Sequence, residues 1–146
     1  MKILNKKARF NYQILETLEA GVVLSGAEVK SVRAGRVDLS ESFAKVQNGQ
    51  IFAKNIYIFP YFGVRTETYN PRQDRKLLLH KHQIETLAGK MTKGGMALIP
   101  LSLYFSHNFV KVELALGQSK KLFDKRKQIK AKDEERKLQQ ELKNFN

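Results

Sequence analysis

Apolar and polar residues alternate in short runs along most of this chain, and the pattern predicts a body built mainly of strands. From Phe10 the segment FNYQILETLEAG largely alternates, with Phe10, Tyr12, Ile14 and Leu18 apolar and Leu15 breaking the order, which predicts a local irregularity. Val22, Val23 and Leu24 form a β-prone run expected to be buried. Residues 43–59, FAKVQNGQIFAKNIYIF, hold two β-rich runs around Asn48-Gly49, a pair that tolerates positive φ and centres a tight hairpin. Leu77-Leu78-Leu79 reads as another strand. MALIPLSLYF and FVKVELAL then make a final hairpin around Ser106-His107-Asn108, with Pro100 predicting an edge or a bulge. Val110, Val112, Leu114 and Leu116 alternate with Lys111, Glu113 and Ala115, the mark of a half-buried antiparallel strand.

Two stretches switch to helical spacing. In EAGVVLSGAEVKSVRAGRVDLSESFA, residues 19–44, Ser25 and Glu28 form a capping box. Val29 and Val32 give an apolar line, and Gly35 sits where a helix end needs a left-handed residue. Lys30, Arg33 and Arg36 are left pointing outward, so a short basic helix is predicted beside the strands. On pattern alone a structural plug carrying solvated cations is the preferred reading. From His80 to Met91, helix formers dominate, with Ile84, Leu87 and Met91 on one stripe and Lys93-Gly94-Gly95 ending it. The first residues, KILNKKAR, are polar and basic, expected as a mobile arm or a first helical turn.

After Gly117 the composition changes. SKKLFDKRKQIKAKDEERKLQQELKNFN has no glycine and no proline, and its first part carries six cations (Lys120, Lys121, Lys125, Arg126, Lys127, Lys130) against Asp124. Leu138, Leu142 and Phe145 make a stripe too thin to offset the ordering entropy of so many residues. The division expected is a body over 1–117 and a basic tail over 118–146, disordered alone.

Charge narrows the function. Lys and Arg outnumber Asp and Glu by 27 to 14, a net +13, which points to a polyanionic partner. Arg72, Arg75 and Lys76 stand in a turn-rich loop just before the strand Leu77–Leu79, where guanidinium forks suit phosphate oxygens. The aromatic group Tyr57, Phe59, Tyr61 and Phe62 invites base stacking, although core or rim packing is the preferred reading. No apolar run is long enough for a membrane span, the N-terminus lacks a signal-peptide core, and there is no cysteine; a cytoplasmic protein is expected. His80, His82 and His107 lack metal-site spacing, and no phosphate loop or serine elbow is present, so neither a metal, a cofactor nor an enzymatic role is expected.

The 19–44 stretch closely resembles the signature of SmpB, small protein B, the tmRNA-binding family of bacterial ribosome rescue. NKKARFNY, NPRQDRKLLLHK and SKKLFDKR are similar to further family motifs, so the resemblance covers nearly the whole chain. It implies a closed six-stranded antiparallel barrel of oligonucleotide-binding type with peripheral helices and a C-terminal tail ordered on the ribosome. It implies binding of the tRNA-like domain of tmRNA and its delivery to stalled ribosomes, the tail lying in the empty mRNA path. The implied partners of this monomer are tmRNA and the ribosomal RNA of the decoding centre and mRNA channel, with elongation factor Tu a further candidate. By motif match, tmRNA contacts fall on Glu19, Leu78 and His80, beside Arg9, Tyr12, Lys30, Arg33, Arg36, Arg72, Arg75 and Lys76. Ribosome contacts fall on Lys120, Lys121, Asp124, Lys125, Arg126, Lys127 and Leu142. The chain departs from the family at Phe10, where many members have histidine, at His82-Gln83 for Arg-Glu, and at Glu141, where an apolar residue is usual. A general RNA chaperone or ribosome-associated protein of similar fold is the alternative reading, and a tail-anchored peripheral membrane protein is weaker because the apolar stripe is so thin.

Overall fold

A single side chain decides how the chain begins. Asn5 is buried: its Oδ1 accepts from the Ala8 N–H (3.1 Å), and its Nδ2 donates to the carbonyls of Leu39 (3.0 Å) and Pro100 (2.9 Å). It therefore caps helix α1 (Lys6–Asn11) and ties it to two distant segments, while strand β1 (Lys2–Leu4) pairs with residues 102–104. The start is thus no mobile arm, and Phe10 lies in a helix rather than a strand because the cap sets the helical register before Tyr12. The structure, a computed structural model, describes residues 2–62 and 67–144, with the side chains of 122–125 outside that description.

Strand β2 (Tyr12–Val22) leads to helix α2 (Gly26–Arg33), followed by β3 (Val37–Asp38), β4 (Phe43–Gln47), β5 (Gln50–Lys54), β6 (Tyr57–Ile58) and β7 (Arg75–Leu78). Helix α3 (Lys81–Met91), the hairpin β8 (Met96–Ser106) and β9 (Phe109–Ser119), and helix α4 (Lys120–Asn144) complete the order. The molecule is mainly β with a few helices. Six strands of one sheet pair antiparallel in a closed ring, β8-β4-β5-β7-β2-β9 and back to β8, with β1 added along β8 and the short β3–β6 pair set apart. The ring is held unevenly: β8 and β9 pair along their length, whereas β4 is in register with β8 at Ala44–Leu98 and β2 with β7 at Gly21–Leu78 and Val22–Leu77, the Val23 N–H adding a bond to the Lys76 carbonyl.

Local chemistry places most turns where the pattern predicts them. Asn48 (φ 52°) and Gly49 (φ 74°) join β4 to β5, and His107 (φ 52°) and Asn108 (φ 67°) join β8 to β9. The irregularity expected at Leu15 is a register shift between Ile14 and Glu16, and Pro100, which has no N–H to give a ladder, sits at another between Pro100 and Ser102. Inside the ring Ile51, Leu77, Leu98, Leu103, Val112, Leu114 and Leu116 are buried, with Val32 of α2 and Ile84 and Leu87 of α3 packed against them. Two expectations fail. Ala115 is buried as well as its neighbours, because Ala8 of α1, Ile99 and Leu101 cover that face in a second small cluster. Val23 is exposed, because its N–H still donates to the Lys76 carbonyl (2.9 Å) and its side chain takes the outward place between Val22 and Leu24, which pack on the core. Strand β9 runs two residues past the expected boundary at Gly117, and Gln118 is buried.

Candidate nucleic-acid interface

Alternation along two neighbouring strands creates the first feature. In β7, Arg75 and Leu77 point in, so Lys76 and Leu78 point out, and Leu78 is 53% exposed. Its partner across the narrow β2–β7 seam is Gly21, where a Cβ would lie 3.2 Å from the Leu78 Cβ; a glycine allows the two strands to meet there. Glu19 stands two residues before Gly21, and β7 turns at His80 into α3, the His80 N–H donating to Gln83 Oε1 at 3.0 Å. Glu19, Leu78 and His80, far apart in sequence, thereby share one hollow of about 380 Å³ with Gly21, Leu79, Gln83 and Lys111. Tyr104 donates its hydroxyl to Glu19 Oε2. Burial, then the bond to Glu19 and its charge, push the Tyr104 hydroxyl up to about 12, so it stays a donor at neutral pH. The hollow offers an oriented acceptor, an exposed apolar side chain, an imidazole stacked at 5.7 Å on His82, and a cation. These groups can read the donors and flat faces of an RNA rather than its charge alone.

Helix α2 carries the second feature. Its capping box forms as predicted, the Glu28 N–H donating to Ser25 Oγ (3.2 Å) and the Ser25 N–H to Glu28 Oε1 (3.1 Å). Val32 faces the core, and Ser31 Oγ donates to the Phe59 carbonyl at 2.7 Å, clamping the helix to the segment after β6. Lys30 and Arg33 point outward as expected, and each cation lies over a ring: Lys30 over Tyr61 (5.5 Å), Arg33 over Phe105 (5.2 Å), Arg36 over Phe59 (5.6 Å) and Phe62 (5.1 Å). Arg72 lies 4.9 Å over Tyr57 and donates to Asn55 Oδ1 at 2.9 Å. Of the core or rim packing expected for these aromatics, the rim part holds for Tyr57 and Tyr61, which are half-buried, whereas Phe59 and Phe62 are exposed. Ile56 and Ile58 take the inward positions, so Tyr57 and Phe59 must point out.

Arg75 is the other correction. Expected at a phosphate-contacting loop, its guanidinium is fully buried. Nε and Nη2 donate to Glu28 Oε2 (2.9 and 2.5 Å), Nη1 to the Ile56 carbonyl (2.5 Å), and Nη2 also to the Pro71 carbonyl (2.9 Å). Those donors are turned inward, and nothing of the side chain is left to meet a phosphate. Burial would raise the Glu28 carboxyl, but the Ser25 N–H, the Arg75 guanidinium and the Tyr69 hydroxyl outweigh it and hold it below the usual range. Tyr69, within 3.1 Å of Glu28 Oε2, is pushed up to about 12 by burial and then by that charge. The capping glutamate of α2 is therefore also the anchor of the 67–76 loop.

The sequence model of the SmpB protein family matches residues 2–144. The chain belongs to the SmpB family. It is 54% identical over 134 residues to the SsrA-binding protein of Syntrophobacter fumaroxidans, covering 92% of this chain and 83% of that one. It is 49% identical over 144 residues to the SsrA-binding protein of Chlorobaculum tepidum, covering 98% and 92%. Among solved structures, a chain described as "tmRNA-SmpB: a journey to the center of the bacterial ribosome" superposes with a TM-score of 0.69 at 46% identity, covering 82% of this chain and 84% of that one.

The remaining residues that the SmpB resemblance singles out are spread over the surface. Arg9 is exposed, 3.9 Å from Glu113 Oε1, and Tyr12 is half-buried opposite Ser119 at the root of α4. Phe10 is exposed with Lys120 5.8 Å over its ring, beside a hollow of about 500 Å³ that both share with Tyr12 and Lys121. Lys120, Lys121, Arg126, Lys127 and Leu142 are exposed on α4; the side chains of Asp124 and Lys125, and Phe145, lie outside the described residues. Among the described residues no cluster of His, Asp and Glu could hold a metal ion, and no helix is long and apolar enough to cross a membrane. Sequence reasoning missed Tyr104 and Lys111, whose link to Glu19 depends on pairing across β2, β8 and β9.

Proposed function

We propose that this SmpB-family protein binds tmRNA through the tRNA-like domain and delivers it to ribosomes stalled in trans-translation, acting as a binding protein rather than an enzyme, in the cytoplasm. The observation that supports this best is the meeting of Glu19, Leu78 and His80 in one hollow on the ring. In this reading the ring works as a barrel of oligonucleotide-binding type. Glu19, oriented by Tyr104, accepts from base or ribose donors; Leu78 and His80 pack against flat nucleotide surfaces; and Lys30, Arg33, Arg36, Arg72 and Lys76 neutralise phosphates and release counterions. Selectivity and charge are thereby divided between the hollow and its surroundings.

The tail meets the ribosome. The 25 residues of α4 span about 37 Å at 1.5 Å per residue, long enough to lie along an emptied mRNA channel. Its cations supply through rRNA phosphates the stabilisation its few apolar groups lack, so it is disordered when free and helical when bound. A message occupying the channel excludes it, which confines rescue to ribosomes with truncated messages. Elongation factor Tu is a further partner of the delivered complex.

The test compares binding to the tRNA-like domain and to an unrelated structured RNA of equal length, at several salt concentrations. The tRNA-like RNA should bind more tightly throughout, and Glu19→Gln should narrow the gap. Equal affinity for both RNAs would sink the reading and leave a general RNA chaperone.

A further inference from the structure

The segment after β5 inverts the usual placement of side chains. Ile56 and Ile58 are each 1% exposed, while Phe59 between the ring and α2 is 39% exposed and Phe62 is 81% exposed. A segment serving only to close the core has no use for large apolar rings in water, where burial of each would be worth about 1.5–3 kcal/mol. Nor do the rings bury one another. Tyr57 and Phe59 meet edge to face (4.7 Å, 74°), as do Tyr61 and Phe62 (6.2 Å, 66°), an arrangement that leaves faces uncovered. The cations touch the rings without covering them: Arg36 lies 5.1 Å from the centre of Phe62, yet most of that ring remains solvated.

Rigid support sits beneath. Ser31 Oγ holds the Phe59 carbonyl, the Phe59 N–H donates to the Arg36 carbonyl at 3.1 Å, and the Ile58 N–H donates to the Pro71 carbonyl at 3.1 Å. Open aromatic faces interleaved with arginines on a fixed backbone are the physical requirements for stacking unpaired nucleotides, since every base has a flat face and every nucleotide a phosphate. A duplex offers no such face except at its ends.

We infer that the surface formed by Phe59, Phe62 and Arg36 is a stacking platform for unpaired nucleotides of an RNA, distinct from the hollow at Glu19. It rests on the RNA-binding reading above but not on which RNA fills the hollow. Two sources of unpaired nucleotides are open to it, the tRNA-like RNA itself and ribosomal RNA.

The test uses the full chain with Phe62→Leu and Phe59→Leu, which keep apolar bulk but remove the flat ring, and Phe62→Trp, which enlarges it. The probe is a single-stranded oligouridine, against a duplex of equal length and charge. Each leucine variant should bind the single strand about fivefold or more weakly, with duplex binding unchanged, and Phe62→Trp should equal or exceed the parent. Unchanged single-strand affinity in both leucine variants overturns the proposal, as does an equal loss toward the duplex, which would mean charge or folding rather than stacking. The platform is read by oligouridine against duplex, and the hollow by the gap between the tRNA-like RNA and an unrelated structured RNA, so a failed platform and a failed hollow give different patterns. In a second arm, weakened binding of Phe62→Leu to the tRNA-like RNA places the platform there, and weakened binding to small ribosomal subunits places it on ribosomal RNA; no loss toward either overturns it.

Discussion

Replacing Arg75 by alanine should unfold this protein far more readily than its place in a basic loop suggests. The guanidinium and the Glu28 carboxylate are 1% and 3% exposed and 2.5 Å apart, so removing the cation strands a buried negative charge. It also takes the Arg75 donor from the Ile56 carbonyl and leaves the Pro71 carbonyl with the Ile58 N–H. Breaking a buried pair from one side costs about 3–5 kcal/mol, a large part of the roughly 5–15 kcal/mol that holds a domain folded. At about 2–4 °C per kcal/mol for a chain of this size, melting should fall by about 6–20 °C. The pH dependence carries the signature. In the parent the Glu28 carboxyl is held low, so its contribution is present above the unfolded-state pKa and lost as pH falls through the folded one. Without Arg75, burial, the largest influence on this carboxyl, is opposed less, and its folded-state pKa rises. The deficit should then be greatest near neutral pH and narrow as both forms protonate. Denaturant unfolding followed by circular dichroism at several pH values measures it, and Arg75→Met with Glu28→Met should cost less than the two single changes summed, because no charge is left alone. A deficit below about 1 kcal/mol, the worth of an exposed pair, and unchanged toward acid pH would refute the reasoning.

Arg72→Ala, removing an exposed cation that holds Asn55, should weaken RNA binding and flatten its salt dependence by about one unit of slope, read from titrations across salt concentration. Tyr104→Phe, which frees Glu19 from its donor, should lower selectivity for the tRNA-like RNA without moving the salt slope; an unchanged preference would show that the hydroxyl does not orient the carboxylate. Truncation after Ser119, where β9 ends, should keep selective RNA binding in a folded ring, whereas truncation after Gly117 cuts the strand and exposes the partners of buried Gln118; calorimetry and RNA titration check both. Ala131→Pro leaves every charge of α4 in place and should spare RNA binding but abolish peptide tagging on stalled ribosomes; full tagging would show that charge without helix suffices.

What could be read from the chain follows the reach of each interaction. Asn48-Gly49, the Ser25–Glu28 box and the Pro100 irregularity are set by φ preferences and bonds spanning a few residues, and all stand where the pattern puts them. Asn5 was not legible as an anchor, because its two carbonyl partners lie 34 and 95 residues away. Arg75 looked like its neighbour Arg72, since nothing local says that β7 turns one toward Glu28, 47 residues distant, and leaves the other outside. The exposure of Phe59 was not legible because an alternating apolar run is consistent with either face; Ile56 and Ile58 settle it only once the ring exists. The hollow was foreseeable through motif resemblance, not spacing, because Glu19 and Leu78 meet through a seam two residue pairs long.

Strand β9 passes into α4 with no intervening residue, Ser119 still in register with Tyr12 and Lys120 already helical. That strand is fixed on both sides, by β2 and by β8, so the helix leaves the ring on a clamped mount rather than a swivel. Mechanically it is a lever. With an arm of about 37 Å, a tilt of the ring by about 10° carries the far end of a helical α4 through about 6 Å. If α4 is helical on its partner, as proposed, this mount would carry the seating of the ring out to the helix's far end, where a flexible tether would lose it.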